Sequence, residues 1–428
     1  MHSLVKLIKK TYRMARPHER RIVLDNVASL SALQAITYIL PIITIPYLFR
    51  VIGPEKFGLI AFAQAFIQYF MIITDYGFGV TATKEISICR NTRVKVCRIF
   101  SAVMTAKLLL ASLSFLILVA IVYFIPKFRN DAMVYLISFG TVIGNTLFPV
   151  WFFQGTERMK HIANLNIFGG FIITFFIFIF VNSPQDYLLV PIVYSAVTII
   201  TGISGQYIAF RKFGLRFKLQ GYNKVRQQFK AGWDVFISIA AINAYTTTRI
   251  FTVGLLTNNT VTGFYSIAEK ISNIFQTFPL TSFTQAIFPR LSHMFNRNKF
   301  KALEVMQKLQ QITTSITLIV FPLVFVSAHL MVKIACGQDY QNTALTLKLL
   351  LISILFINAN AFRIQFLLVS GKTRIYSKIH ITMAMVGMPL IILFIYAFSY
   401  VGAAIATVVI EAGIFTITYL TLKKFKFS

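Results

Sequence analysis

Residues 101–125 read SAVMTAKLLLASLSFLILVAIVYFI, with Lys107 the one charged side chain in the run. A helix crosses the ~30 Å hydrocarbon core of a bilayer with roughly 20 mainly apolar residues, so this stretch predicts a membrane span. Working outward, comparable runs fall at 26–49, 57–80, 132–153, 162–181, 187–210, 232–256, 261–286, 311–335, 345–369, 376–397 and 402–422. Together they make about twelve expected transmembrane helices, of which the fourth and eighth are the most polar.

Composition points the same way. Of 428 residues, 57% are hydrophobic and 13% charged, and the mean hydropathy of +0.71 means more apolar surface than one soluble core could hide. The net charge of +29 raises a nucleic-acid reading, because clustered Lys and Arg bind phosphates. Placement excludes it: the basic residues sit in short runs between apolar stretches, and no soluble domain is left to present a basic face. With the N-terminus inside, 32 of the 42 Lys and Arg lie in cytoplasmic segments. Six lie on the opposite side (Arg50, Lys56, Lys127, Arg129, Lys333, Lys348) and four inside spans (Lys107, Arg249, Lys270, Arg363). This asymmetry predicts an N-in, C-in, multi-pass protein of the inner membrane. The first apolar run is too long for a signal-peptide core and lacks a small-residue cleavage site, so it is expected to stay as a span. Before it, Leu4, Ile8 and Tyr12 recur opposite a set of lysines, predicting an interfacial helix over 3–15 on anionic membrane lipids.

The longest connecting loop, basic and near residues 211–231, divides the chain. The expected organisation of this all-α integral membrane protein is a basic interfacial segment 1–22, a six-helix bundle 23–210, a linker 211–231, a second six-helix bundle 232–422 and a tail 423–428. The halves echo each other: FGLIAFAQ at 57–64 matches TGFYSIAE at 262–269, an offset of 205, and Asp25 before span 1 corresponds to Asp234 before span 7. An even number of spans per half makes both run in the same direction, which implies a pseudo-two-fold axis along the membrane normal and a central cavity between the bundles.

Charges inside lipid are expensive and face a bundle interior or a water-filled cavity. Span 7 carries Asn243, Thr246 and Arg249 three apart; span 8 carries Ser266, Glu269, Asn273 and Gln276 in one stripe, beside Lys270. Span 2 has Gln64, Gln68 and Asp75, and span 10 has Asn358, Asn360, Arg363 and Gln365. These stripes predict a polar, net cationic lumen. It suits an anionic cargo, because Arg grips phosphate oxygens in a bidentate fork and Lys adds a compact charge; the amides and hydroxyls suit sugars. Arg249, Lys270, Arg363, Asn243 and Asn273 are therefore the candidate cargo contacts. Pairing within the set, such as Glu269 with Arg249 or Lys270, would instead fix helix packing. Lys107, near the inner end of span 3, reads as a snorkelling anchor. Asp75, Asp234 and Glu269 are the carboxylates nearest the lumen; apolar surroundings disfavour the charged form, which makes them candidates to carry a coupling proton.

Several patterns carry no chemistry. Cys89, Cys97 and Cys336 have neither disulfide nor zinc spacing, and the six histidines show no ligand pattern. No nucleophile and base stand together, so no catalytic residue, metal or cofactor is expected and the chain does not read as an enzyme. Gly77-x-Gly79-x-x-Ala82 has no preceding strand to make it a dinucleotide loop, and Gly140-x-x-x-Gly144 permits close helix packing. Pro41, Pro46, Pro279 and Pro289 are expected to kink or end helices.

Six blocks carry a resemblance: LPIITIPYLFRVIGPEKFG at 40–58, ITDYGF at 73–78, ATKEI at 82–86, PVWFFQG at 149–155, GFYS at 263–266 and PRLS at 289–292. In these the chain closely resembles the polysaccharide-transporter family of O-antigen flippases, the Wzx or RfbX type, within the multidrug/oligosaccharidyl-lipid/polysaccharide exporter superfamily. The resemblance implies two six-helix bundles and a cargo of undecaprenyl-diphosphate-linked oligosaccharide moved from the cytoplasmic to the periplasmic leaflet. It also implies a proton or sodium gradient as driver, basic lumenal residues on the diphosphate and sugar, and a polysaccharide polymerase and chain-length regulator as candidate partners. Arg50, inside the first block near the outer mouth, joins the candidate contacts. The rivals are a drug exporter of the same superfamily, which would favour an acidic lumen, and a membrane polymerase or glycosyltransferase, which would need large outer loops that this chain lacks.

Overall fold

The computed structural model describes residues 17–277, 291, 294–295 and 298–423, with side chains placed from residue 39 onward except at 244, 245, 277 and 373. Among these residues every regular element is helical. In chain order they are α1 (Pro17–Asp75), α2 (Phe78–Cys89), α3 (Arg93–Phe124), α4 (Pro126–Arg129), α5 (Ala132–Ser138), α6 (Gly140–Leu147), α7 (Val150–Gly155), α8 (Met159–Phe180), α9 (Leu189–Phe213), α10 (Tyr222–Thr246), α11 (Thr248–Leu256), α12 (Asn259–Thr277), α13 (Lys299–Val326), α14 (Ala328–Cys336), α15 (Gln341–Val369) and α16 (Thr373–Lys423).

The helix at α3 shows why the sequence folds this way. In lipid every backbone group must be satisfied internally, which a continuous helix does. Its 32 residues extend about 48 Å at 1.5 Å per residue, enough to cross the core with some tilt. It stops at Ile125, which is extended because Pro126 follows and disfavours the helical conformation before it. From Lys107 on, the buried residues are Ala111, Ser114, Leu118 and Val122, three or four apart, while Leu109, Leu113, Leu116 and Phe124 face away from the protein. The apolar outer face meets lipid and the small or polar inner face meets other helices.

Eight helical runs among the described residues are long and apolar enough to cross a membrane. Two of them, Ile39–Cys89 and Arg374–Lys423, each hold two of the expected spans. α1 turns at Gly53 (φ 77°) just before Pro54, a left-handed conformation that suits glycine, and α16 turns at Phe398 and Ser399. Pro41 and Pro46 lie within α1 without a break in its torsions; Pro279 and Pro289 lie outside the described residues. Spans 7 and 8 form helices α10 to α12, yet their polar residues keep them out of the apolar set. Span 4 is interrupted into α5, α6 and α7, with Phe148 extended before Pro149.

Two observations tie the early and late parts of the chain together. Leu48, Phe49 and Ile52 of α1, Ile177 of α8, Val190 of α9, Ile267 of α12 and Leu350 of α15 share one apolar cluster. Within it, α1 crosses α12 at glycines: a Cβ on Gly58 would overlap the Asn259 carbonyl, and a Cβ on Gly263 would overlap the Pro54 carbonyl. The contact is reciprocal. Residues 54 and 58 map onto 259 and 263 by the same offset of 205 found in the sequence, so each repeat presents the same two positions to the other.

Candidate functional site

Five groups of polar side chains lie among these helices. The first is built around Arg249, at the start of α11. Its guanidinium lies 3.5 Å from Glu269 Oε1, and it donates to Thr407 Oγ1 of α16 at 3.1 Å and to the Thr246 carbonyl at 3.1 Å. Glu411, one turn beyond Thr407, also acts electrostatically on Arg249. The two side chains of the pair are 14% and 9% exposed, so this is a buried ion pair whose hydrogen bonds are supplied from three helices. Asn243, six residues earlier, donates to the Ile239 carbonyl and accepts from Thr247 Oγ1 at 3.1 Å.

Lys270 follows Glu269 but points elsewhere, since successive helix positions are rotated by about 100°. With Gln64 and Tyr194 among otherwise apolar residues of α1 and α9, it lines a narrow cavity of about 30 Å³, room for roughly one water. No carboxylate among the described residues lies within salt-bridge distance of it. Arg363, on α15, donates to the Ala359 carbonyl and lies over the rings of Phe415 and Tyr419, 5.1 and 5.3 Å from their centroids. Just before it, the Gln310 amide inserts into α15: it donates to the Asn358 carbonyl and accepts from the Phe362 N–H, both at 2.9 Å. A side chain bridging an i, i+4 backbone pair is a recognised cause of helix bending.

A further cluster centres on Asp75, the last residue of α1. Lys107 Nζ donates to Asp75 Oδ1 at 2.8 Å, and the Asn145 amide lies 3.4 Å from both carboxylate oxygens. Lys107 is buried rather than snorkelling, because its helix face is the inward one and a carboxylate waits there. The turn after Asp75 is tight, with Tyr76 at φ 42° and Gly77 at φ 78°. Tyr76 stacks on Phe236 of α10 at 4.7 Å, so a left-handed non-glycine residue is held in place by packing.

A last group lies beside α1 near Arg50 and Phe62. Lys127 donates to the carbonyls of Gly254, Leu255 (2.7 Å) and Thr257 (3.3 Å), capping the C-terminus of α11 where unpaired carbonyls concentrate negative charge. Burial pushes the Lys127 amine below the usual lysine range. Phe251 stacks on Phe62 at 5.3 Å. Arg50 donates to the Ile334 carbonyl of α14. Among the sequence candidates, then, Arg249 and Glu269 meet, Lys270, Arg363 and Asp75 occupy separate neighbourhoods, and Asn273, Asp234 and Arg50 are exposed. Sequence reasoning passed over Glu411, although it is the sole acidic residue in 402–422, and Asn145.

A chain of long apolar helices with ion pairs buried between them has a known structural class. Its fold is that of transporters: it is similar to "Lipid II flippase MurJ, inward closed conformation" (TM-score 0.73, 12% identity, 92% of this chain and 87% of that one). It is also similar to an inward-facing multidrug resistance MATE family transporter of the MOP superfamily (TM-score 0.64, 13% identity, 93% and 99%). The family follows from sequence. The model for the family described as "Polysaccharide biosynthesis protein" matches residues 23–295, and the chain belongs to that family. Two relatives named "Putative O-antigen transporter" are 31% identical in Escherichia coli (strain K12), over 90% of this chain and 93% of that protein, and 26% identical in Shigella dysenteriae, over 84% and 90%. The chain is a multi-pass inner-membrane protein.

Proposed function

We propose that this protein flips undecaprenyl-diphosphate-linked O-antigen or other polysaccharide repeat units from the cytoplasmic to the periplasmic leaflet by alternating access. The observation that carries the reading is Lys270: a lysine within its span facing a cavity between α1, α9 and α12, where a cation that feels Glu269 but makes no salt bridge with it suits a diphosphate. Arg249 and Arg363 extend the cationic path, and Asn243 and Asn273 supply amides for sugar. The chain acts as a transporter, without catalytic residues. An acidic lumen, which a drug exporter would favour, is the reverse of this balance.

The architecture we propose is twelve spans, N-in and C-in, in two six-helix bundles over 23–210 and 232–422. The reciprocal crossing of Gly58 and Gly263 supports a pseudo-two-fold relation between them, as in parallel-repeat transporters. Contacts of Lys127, Arg50 and Phe62 with α11 and α14 would then be the closed outer gate, and the narrow Lys270 cavity the contracted form of the cargo path. Lys270→Met at matched membrane expression is expected to lower restoration of surface polysaccharide in a flippase-deficient bacterium by at least about tenfold, the loss of one charge-assisted contact. Restoration equal to wild type would remove Lys270 from the path.

Ion coupling is proposed at Glu269, whose pairing with Arg249 a proton or sodium ion would loosen; Asp75, salt-bridged to Lys107, and exposed Asp234 are the further candidates. Transport in proteoliposomes is expected to rise severalfold when a proton or sodium gradient is imposed. A rate indifferent to both gradients would refute coupling. A polysaccharide polymerase and a chain-length regulator remain the proposed assembly partners.

A further inference from the structure

A second cavity, larger than the one beside Lys270, lies among the described residues. It measures about 300 Å³ and is lined by Asp75, Lys107, Asn145, Phe148, Trp151 and Gln154. Its volume is at the lower bound of small-molecule sites, roughly 300–1,000 Å³, which fits a mono- or disaccharide and not a whole repeat unit.

The walls are specific. The break in span 4 at Phe148 and Pro149 puts irregular backbone at membrane depth, which is tolerated where it lines a cavity or is buried in protein. Lys107 is neutralised by Asp75 at 2.8 Å, so the pocket offers no net positive charge to a phosphate. What it offers is hydrogen bonding around an aromatic wall. Asp75 keeps half its surface open beside Lys107 and Asn145, a carboxylate and an amide together. Gln154 Oε1 is held by Thr83 Oγ1 at 3.4 Å. Trp151 lines the cavity with only 2% of its surface exposed, and its buried indole N–H has no hydrogen-bond partner, although buried polar groups are ordinarily satisfied.

We infer that this pocket is a saccharide subsite: it holds one or two sugar rings of the cargo beside the edges of Trp151 and Phe148, with Asp75, Asn145 and Gln154 reading their hydroxyls, apart from the cations that hold the diphosphate. The inference rests on the flippase reading and names the residues that choose among sugars. Neither Trp151 nor Gln154 belongs to a polar stripe; both sit in the PVWFFQG block.

The chain has two tryptophans, Trp151 and Trp233, so Trp233→Phe leaves Trp151 as the single intrinsic reporter in the pocket. Full-length Trp233→Phe protein in nanodiscs is titrated with the methyl glycosides of glucose, galactose, rhamnose and N-acetylglucosamine, and separately with inorganic pyrophosphate. A saturable change in Trp151 emission is expected with at least one glycoside and none with pyrophosphate. Asn145→Ala and the size-matched Gln154→Met should each raise the half-saturation concentration by about tenfold, one hydrogen bond's worth. Silence with all four glycosides, an unchanged response in both variants, or an equal response to pyrophosphate would overturn the subsite. Restoration of surface polysaccharide, scored separately, separates the two ideas: restoration without glycoside binding sinks the subsite alone, and glycoside binding without restoration sinks the transport reading.

Discussion

Arg249→Ala is expected to be the most damaging charge removal in the protein, destabilising it by about 3–5 kcal/mol, the usual effect of breaking a buried ion pair from one side. The guanidinium sits 3.5 Å from Glu269 and also acts electrostatically on Glu411. Removing it takes from both Glu269 and Glu411 the cation that acts on each of them, and an enclosed carboxylate without its cation is costly. Glu269→Gln is expected to be milder, because Glu411 remains to balance Arg249. The order of effects is the test: monodisperse protein recovered after detergent extraction should fall as wild type, Glu269→Gln, Arg249→Ala. Adding Glu269→Gln and Glu411→Gln to Arg249→Ala should recover much of the loss, since the stranded charges are then gone. If Arg249→Ala is as stable as Glu269→Gln, the second carboxylate is not part of the site.

This cluster also shows how far the sequence could be read. Its helices were legible because spans of lipid-exposed apolar residues have a length set by the bilayer, and Arg249 and Glu269 stood out because charges there are rare. Their pairing was foreseen as an alternative to cargo contact, and it is the pairing that the structure contains. What periodicity could not supply was the neighbour. Glu269 and Asn273 share a helix face by spacing, yet one is 7% exposed and the other open, because spacing defines a face and not what covers it. Lys107 and Asp75 lie 32 residues apart, and only the packing of α3 against the end of α1 makes them a pair. The Asp75 pocket was invisible for a further reason: it depends on the break at Pro149, in a span whose length and hydropathy read as continuous.

The repeat, by contrast, was visible as a pattern before it had a consequence. The match of 57–64 with 262–269 places Gly58 opposite Gly263 in register, and in the fold these two meet across one crossing. Positions related by a two-fold operation can touch their own counterparts only near the axis, as in an isologous interface. Under the two-fold relation and alternating access proposed above, the crossing would be the pivot between the halves, and at Gly58 and Gly263 it is backbone that meets backbone.

Gly58→Leu or Gly263→Leu is accordingly expected to abolish assembly of the protein. A Cβ at either position would overlap a backbone carbonyl, of Asn259 or of Pro54, and backbone has no rotamer to move away. Overpacking a core usually costs about 1–3 kcal/mol, and a clash with backbone belongs at the upper end or beyond, because the two helices must separate along their length. The single alanine changes should destabilise by similar amounts, since the two sites are equivalent by the repeat. Their combination should be less harmful than the sum, because helices already spread by the first methyl accommodate the second, the non-additivity expected of residues in contact. Thermal unfolding of the four detergent-solubilised proteins, wild type, both singles and the double, measures this directly. Strict additivity, or a large effect at one glycine with none at the other, would mean that the two positions do not share one crossing.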